Sequence, residues 1–261
     1  MNLKRVAIVD HTGQQAARTL SGELNAWFQG REIEVTDTDP HLVISVGGDG
    51  TMLRAAQVAH AADAPLLGIN TGRVGYLTEV DAGKELDALE AVFDGEFTIE
   101  DRMMLACDTD EGSYVALNEV LVERAARHRL VRLDVRVGGE RLASFNGDGV
   151  IVATPTGSTA YALSAGGPIV SPKANCLVVV PVSPHMFFSR PVVLAADETV
   201  EVIVDPLGED ASLLIDGSIG HDLPPGAAIT VRRHLRPLKL LRVGGPGFLE
   251  RLRTKLDLPG Q

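Results

Sequence analysis

The stretch Gly47-Gly48-Asp49-Gly50-Thr51 sets a carboxylate among glycines, directly after the apolar run Leu42 to Val46. Glycines at a strand-to-helix turn let backbone N–H groups face a phosphate without a Cβ in the way, and the helix end adds its positive dipole. An acid in such a cradle repels the anion. It belongs there if it does chemistry, meets a metal, or serves the turn as an N-terminal helix acid. Thr51 is placed to cap the helix, and Arg54, one turn on, brings a cation near the same phosphate. The glycine spacing is not GxGxxG and no Gly-Lys-Ser/Thr follows, so neither of those phosphate loops is present.

Phe145 to Pro172 forms a second constellation, rich in hydroxyls: Thr154, Thr156, Ser158, Thr159, Tyr161 and Ser164, with the acid Asp148 and a Gly-Gly-Pro turn at 166–168. Polar groups between apolar strands are costly unless they meet a ligand or their own backbone. Pro155 and Gly157 break the run too often for threonines pairing across a sheet, which favours a binding loop. Asn118-Glu119, a third pair, is a solvated edge when taken alone. Beside the other two segments it becomes a candidate for binding sugar hydroxyls.

The elements that position these residues change type along the chain. Up to about residue 98, apolar runs at 5–10, 33–37, 42–47 and 64–70 alternate with helical patterns at 14–29, 51–63 and 84–95. Alternation of that kind implies a doubly wound parallel sheet, whose ligands bind beyond the C-terminal ends of the strands. From 99 to 235 the runs are short, β-rich and punctuated by Gly, Asp and Pro, as in a β-sandwich. Residues 245–256 return to a helical pattern. The expected plan is an α/β domain over 1–98, completed by 236–261 with the last helix returning to it, and an all-β domain over 99–235.

With 261 residues, 45% of them hydrophobic, the chain can bury a core. It holds no uncharged apolar stretch long enough to span a membrane, and its first strand is cut short by Asp10, unlike a signal peptide. Cys107 and Cys176 sit apart among apolar neighbours, which points to buried thiols and the cytoplasm. The seven histidines form no ligand cluster, so no metal site is expected in the chain itself; His185 reads as structural. Net charge is −11 and five of the 24 basic residues are lysine. An acidic chain lacks the basic footprint of a nucleic-acid binder. Acids in excess, arginine in place of lysine and few aromatics suit a protein working in concentrated salt. An anionic ligand must then be drawn in locally, by N–H groups, arginines and a divalent ion.

Gly47 to Leu53, Asn118-Glu119 and Gly147 to Val170 together resemble the NAD kinases. Asn70 to Val80 and Pro181 to Leu194 are similar to two further segments of that family, so the likeness runs over nearly the whole chain. It implies transfer of the γ-phosphoryl group of ATP, or of polyphosphate, to the 2′-hydroxyl of the adenosine ribose of NAD, giving NADP. It also implies a homodimer or homotetramer and a divalent ion, Mg²⁺ or Mn²⁺, entering with ATP. By the resemblance Asp49 is the general base, and Gly47, Gly48, Gly50 and Thr51 hold ATP. Asp49, Gly50, Arg54, Tyr76, Asn118, Glu119 and Arg129 meet NAD. So do Asn146, Asp148, which accepts from the carboxamide, Thr156, the run Thr159, Ala160, Tyr161, Ala162, Leu163 and Ser164, and Ser218. Asn146, Ser218 and Tyr76 depart from the family's commoner residues. Two alternatives stay open. A lipid kinase shares the loop but wants an apolar pocket or a basic membrane-facing patch, and this sequence shows neither. A non-catalytic NAD(P)-binding sensor has no use for an acid at 49.

Overall fold

In the computed structural model, which describes residues 3–72, 75–185 and 189–257, the apolar run Arg5–Asp10 forms β1. There follow α1 (Gln15–Gln29), β2 (Glu34–Val35), β3 (Leu42–Val46), α2 (Asp49–Ala61), β4 (Leu66–Ile69), α3 (Glu85–Asp94) and β5 (Thr98–Arg102). Pairing along β1, β3 and β4 is parallel. The strand expected over 33–37 shrinks to two residues beside β1. Alternation along the strands decides what each face meets. Ile44, Val46, Leu67 and Ile69 share one buried cluster with Leu24 and Phe28 of α1 and Leu89 and Val92 of α3. Gly68, between Leu67 and Ile69, faces the Met52 sulfur of α2 instead. Helices therefore cover both faces, as a doubly wound sheet requires. Its order starts β2-β1-β3-β4, so the direction of winding reverses between β1 and β3. A ligand crevice opens at such a reversal, beyond the strands' C-terminal ends.

The next stretch is almost entirely strand: β6 (Leu105–Thr109), β7 (Gly112–Ala116), β8 (Glu119–Arg124), β9 (Val131–Val137), β10 (Glu140–Gly147) and β11 (Gly149–Ala153). A 3₁₀ turn at Gly157–Thr159 and the one-turn α4 (Tyr161–Ser164) interrupt it. Then come β12 (Cys176–Val182), β13 (Val192–Ala195), β14 (Val200–Val204), β15 (Ala211–Ile215), β16 (Ile219–Leu223) and β17 (Ala228–Arg233). They make two six-stranded antiparallel sheets, β10-β9-β14-β17-β6-β7 and β13-β12-β11-β8-β15-β16. Leu133, Val135, Val202 and Val231 of the first meet Val120, Val122, Val150 and Val152 of the second in one buried core, which makes the unit a β-sandwich. The second sheet is apolar on its outer face too. Leu121, Ile151, Val178 and Val180 there pack with Ala162 of α4. The hydroxyl-rich run thus lies across a covered sheet face.

The chain then returns to the first sheet. β18 (Leu238–Arg242) runs parallel to β4 and antiparallel to β5, and α5 (Phe248–Leu256) follows. The helix was expected and the strand was not, because the leucines of Leu238 to Leu241 fit a helix turn as well as a strand. By contact density the chain divides into Met1–Arg102 with Leu238–Gln261, and Met103–Pro237.

Candidate active site

In the first unit the glycine loop joins β3 to α2 at the winding reversal. The helix starts at Asp49, two residues earlier than the sequence pattern suggests. Gly48, in an extended conformation, takes the cap position, and its carbonyl accepts the N–H groups of Thr51 and Met52 at 3.0 and 3.1 Å. Thr51 is therefore not the cap. It lies inside the first turn, its hydroxyl buried without a hydrogen-bond partner among the described residues. The Gly47 N–H goes to the Ile69 carbonyl at 2.9 Å. The N–H groups free by position are those of Asp49 and Gly50, the first two of the helix. Arg54 is exposed and donates to the Asp10 carbonyl at 2.8 Å, which stations its cation at the C-terminal end of β1.

Asp49 is half-buried. One carboxylate oxygen accepts the Tyr76 N–H at 3.0 Å and the other the Leu77 N–H at 3.1 Å. Each oxygen keeps a second lone pair. The approach is close enough that a Cβ on Gly75 would overlap the Asp49 carboxylate. Burial, and then the Asp49 charge, push the Tyr76 hydroxyl above its ordinary pKa. The Lys255 ammonium lies 5.8 Å from the Tyr76 ring centre. Residues 73–74 of the segment Asn70 to Val80, and residues 186–188 of Pro181 to Leu194, lie outside the described residues.

In the second unit Glu119 opens β8, with Asn118 just before it, and the pair meets the hydroxyl-rich run directly. The Thr154 N–H donates to the Asn118 carbonyl at 2.9 Å, and the Thr154 hydroxyl donates to Leu117 and accepts from Gly157. Gly157 touches the Asn118 backbone, and a Cβ there would overlap the Asn118 carbonyl. Ser158 and Thr159 turn their hydroxyls back on the loop, to the carbonyls of Pro155 and Thr156. This answers how the run tolerates its polarity: much of it is satisfied by its own backbone. Thr156 and Ala162 are buried, Thr159, Ala160 and Leu163 are half-buried, and Tyr161 and Ser164 are exposed.

Asp216 gathers the pair, and sequence reasoning missed it. Its carboxylate accepts the N–H groups of Leu117, Asn118 and Glu119 at 2.9, 2.7 and 3.1 Å. The only signal was an Asp-Gly dipeptide, which reads as a turn; Asp216 and Gly217 do turn there, with φ of 50° and 69°. Burial, and then the Asp216 charge, raise the Glu119 carboxyl to about 8, and its Oε2 is buried without a hydrogen-bond partner among the described residues. A carboxyl raised this far favours its protonated form near neutral pH, which can donate a hydrogen bond.

Asp148 sits at the other end of β8, paired with Arg124 at 2.6 Å. Five residues at roughly 3.4 Å each separate the two ends by about 17 Å. Tyr161 belongs to the Asp148 end: burial, then Glu123 and Asp148, raise its pKa. Arg129 is paired with Glu209, the exposed Asn146 lends its carbonyl to the His185 N–H, and the exposed Ser218 closes the turn after Asp216. Ser218 thus lies two residues from the Asp216 that holds the Asn118 N–H, whereas Arg129 and Asn146 make no hydrogen bond to Asn118 or Glu119 among the described residues. No group of three or more His, Cys, Asp or Glu that could hold a metal occurs among the described residues, and none of the helices there is long and apolar enough to cross a membrane.

Comparison with known proteins adds an independent line. The family model for the ATP-NAD kinase N-terminal domain matches residues 6–97, and that for the ATP-NAD kinase C-terminal domain matches 117–243. The chain is 40% identical to the NAD kinase of Gemmatimonas aurantiaca, covering 93% of this chain and 86% of that one. It is 35% identical to the NAD kinase of Syntrophotalea carbinolica, over 97% and 98%. An NAD kinase from Archaeoglobus fulgidus, solved in complex with ATP, superposes with a TM-score of 0.79 at 29% identity, over 98% of this chain and all of that one. A yeast NADH kinase solved with NADH shares the fold at a TM-score of 0.90 and 23% identity, over 99% and 89%.

Proposed function

The chain belongs to the ATP-NAD kinase family, and on that premise we propose that it phosphorylates the 2′-hydroxyl of the adenosine ribose of NAD, with Asp49 as general base. The observation that carries the mechanism is the Asp49 carboxylate, fixed by two backbone N–H groups at the reversal of the sheet. A ribose hydroxyl is a weak nucleophile at neutral pH. Asp49 accepts its proton as the 2′-oxygen bonds to the γ-phosphorus, and the bond from that phosphorus to the β–γ bridging oxygen breaks. ADP leaves, and the proton stays on the carboxylate until solvent takes it.

The loop around Gly48 and Gly50 is the ATP cradle, with Gly47 and Thr51 shaping it from inside. Free N–H groups bind anions and not cations, so the loop would hold the triphosphate; a divalent ion, Mg²⁺ or Mn²⁺, would enter with ATP and supply charge neutralisation. The second unit holds the dinucleotide. Asn118 and a protonated Glu119 take the adenosine end. Asp148 takes the carboxamide end in competition with Arg124, and Tyr161 stacks beside it. The length of β8 between them suits a dinucleotide. Polyphosphate as donor, a homodimer or homotetramer, and a cytoplasmic setting belong to the same reading.

The test is a coupled assay with protein, NAD, ATP and Mg²⁺, in which an NADP-specific dehydrogenase reports product, and polyphosphate replaces ATP in a parallel reaction. NADP formation is expected. NAD binding with no NADP from either donor would turn the reading to a sensor.

A further inference from the structure

The C-terminal helix sends one guanidinium into the first unit. Arg251 is 3% exposed and reaches four acceptors. They are the carbonyls of Pro246 at 2.8 Å, Gly75 at 3.5 Å and Thr78, and Oε2 of Glu79 at 3.0 Å. Glu79 is buried in turn. Its Oε1 accepts the N–H groups of Val243 and Gly245 at 3.0 and 2.8 Å, and Arg242 pairs with its Oε2 at 2.8 Å. The segment Gly75 to Glu79 is thus gripped from its carbonyl side by Arg251.

The same segment holds Asp49 from its amide side. The Gly75 carbonyl and the Tyr76 N–H are the two ends of one planar peptide unit, so fixing the first aims the second. Among the described residues Arg251 makes no hydrogen bond to Asp49 or to any group assigned to a ligand, although the Asp49 charge acts on its guanidinium. We propose that Arg251 is a positioning residue for Asp49, setting the Gly75–Tyr76 peptide plane whose N–H orients one carboxylate oxygen and bracketing the Leu77 N–H through the Thr78 carbonyl. Arginine suits the task because its planar fork reaches several acceptors at fixed angles, where a lysine offers a single point charge. The inference rests on Asp49 being the base.

The experiment compares the full-length protein with R251M and R251K, each alone and combined with D49N. It measures kcat and KM for NAD and ATP in the coupled assay, the NAD dissociation constant by calorimetry, and the melting temperature. Misplacing a reacting group by about 1 Å can cost roughly 10²-fold in rate. The expected result is a fall in kcat of about 10- to 100-fold in both R251M and R251K, with the NAD dissociation constant within about twofold of the parent. Removing Arg251 should then cost little further rate once Asp49 is Asn. Should R251M fail to fold, R251K, which keeps the cation, carries the test. A folded R251K with parental kcat would overturn the proposal, as would equal losses in the Asp49 and D49N backgrounds. If the unmodified protein makes no NADP, the premise about Asp49 fails instead, a result distinct from either.

Discussion

The Tyr76 and Leu77 N–H groups offset the Asp49 charge on one side and leave a lone pair on each oxygen, which is how the proposed anion cradle could tolerate an acid. D49N keeps an acceptor for one of those groups and removes the proposed base. Turnover should fall ~10²–10⁴-fold with NAD binding largely intact, measured by the coupled assay and by calorimetry; unchanged turnover would return Asp49 to a turn role. Glu119 makes a separate prediction. Its carboxyl is raised to about 8 by burial first and by Asp216 second. A raised acid binds a proton in the folded state that the unfolded state has released. Its contribution to stability is therefore whole below the ordinary carboxyl value near 4.5 and is lost as the pH rises through about 8. Melting curves should show the protein losing ground to E119Q between pH 5 and 8, with the gap constant above that; parallel pH profiles would refute a protonated Glu119. Asp49 drew attention in the sequence because an acid among glycines stands out after an apolar run, whereas Asn118-Glu119 alone looked like a solvated edge and gained interest only beside the other two segments. Asp216 was not legible, since an Asp-Gly turn looks the same whether or not its carboxylate gathers three N–H groups.

At the scale of elements, the turn after β11 fits only because Gly157 presses on the Asn118 backbone. A backbone carbonyl cannot swing aside as a side chain can. G157A should destabilise the protein by roughly 1–3 kcal/mol and weaken NAD binding together, read from melting and titration. A stable G157A with full affinity would mean the two segments are free to part. The alternation of strand and helix in the first hundred residues foretold both helix-covered faces, because period-2 and period-3.6 patterns differ over such lengths. Boundaries were less legible. Helix α2 began early because a glycine, carrying no side-chain signal, took the cap. Arg251 also escaped notice, since an arginine on a short amphipathic helix looks solvated until the helix is docked.

For the whole molecule, net charge dominates. A charge of −11 repels itself and any nucleotide at low ionic strength. Exposed pairs such as Arg129–Glu209 contribute little against it. At 1 M salt the Debye length is ~3 Å, and that repulsion is screened. NADP formation should persist or rise from low to molar salt; steady loss would argue against a protein adapted to concentrated salt. The two-part plan was visible as a change in pattern near residue 98, but the insertion of β18 between β4 and β5 was not, because pairing partners some 170 residues apart leave no local trace.

That insertion fixes an order of events on the ribosome. When synthesis has passed Pro237, every strand of the β-sandwich exists, yet β4 still presents an open edge where β18 belongs. An unpaired buried strand edge is a template for the wrong neighbour. The glycine loop therefore stays on an unfinished sheet until Leu238–Arg242 emerge. A message cut short there would yield a sandwich without its finished companion, and the nascent chain is exposed to misassembly at that edge until β18 has been made.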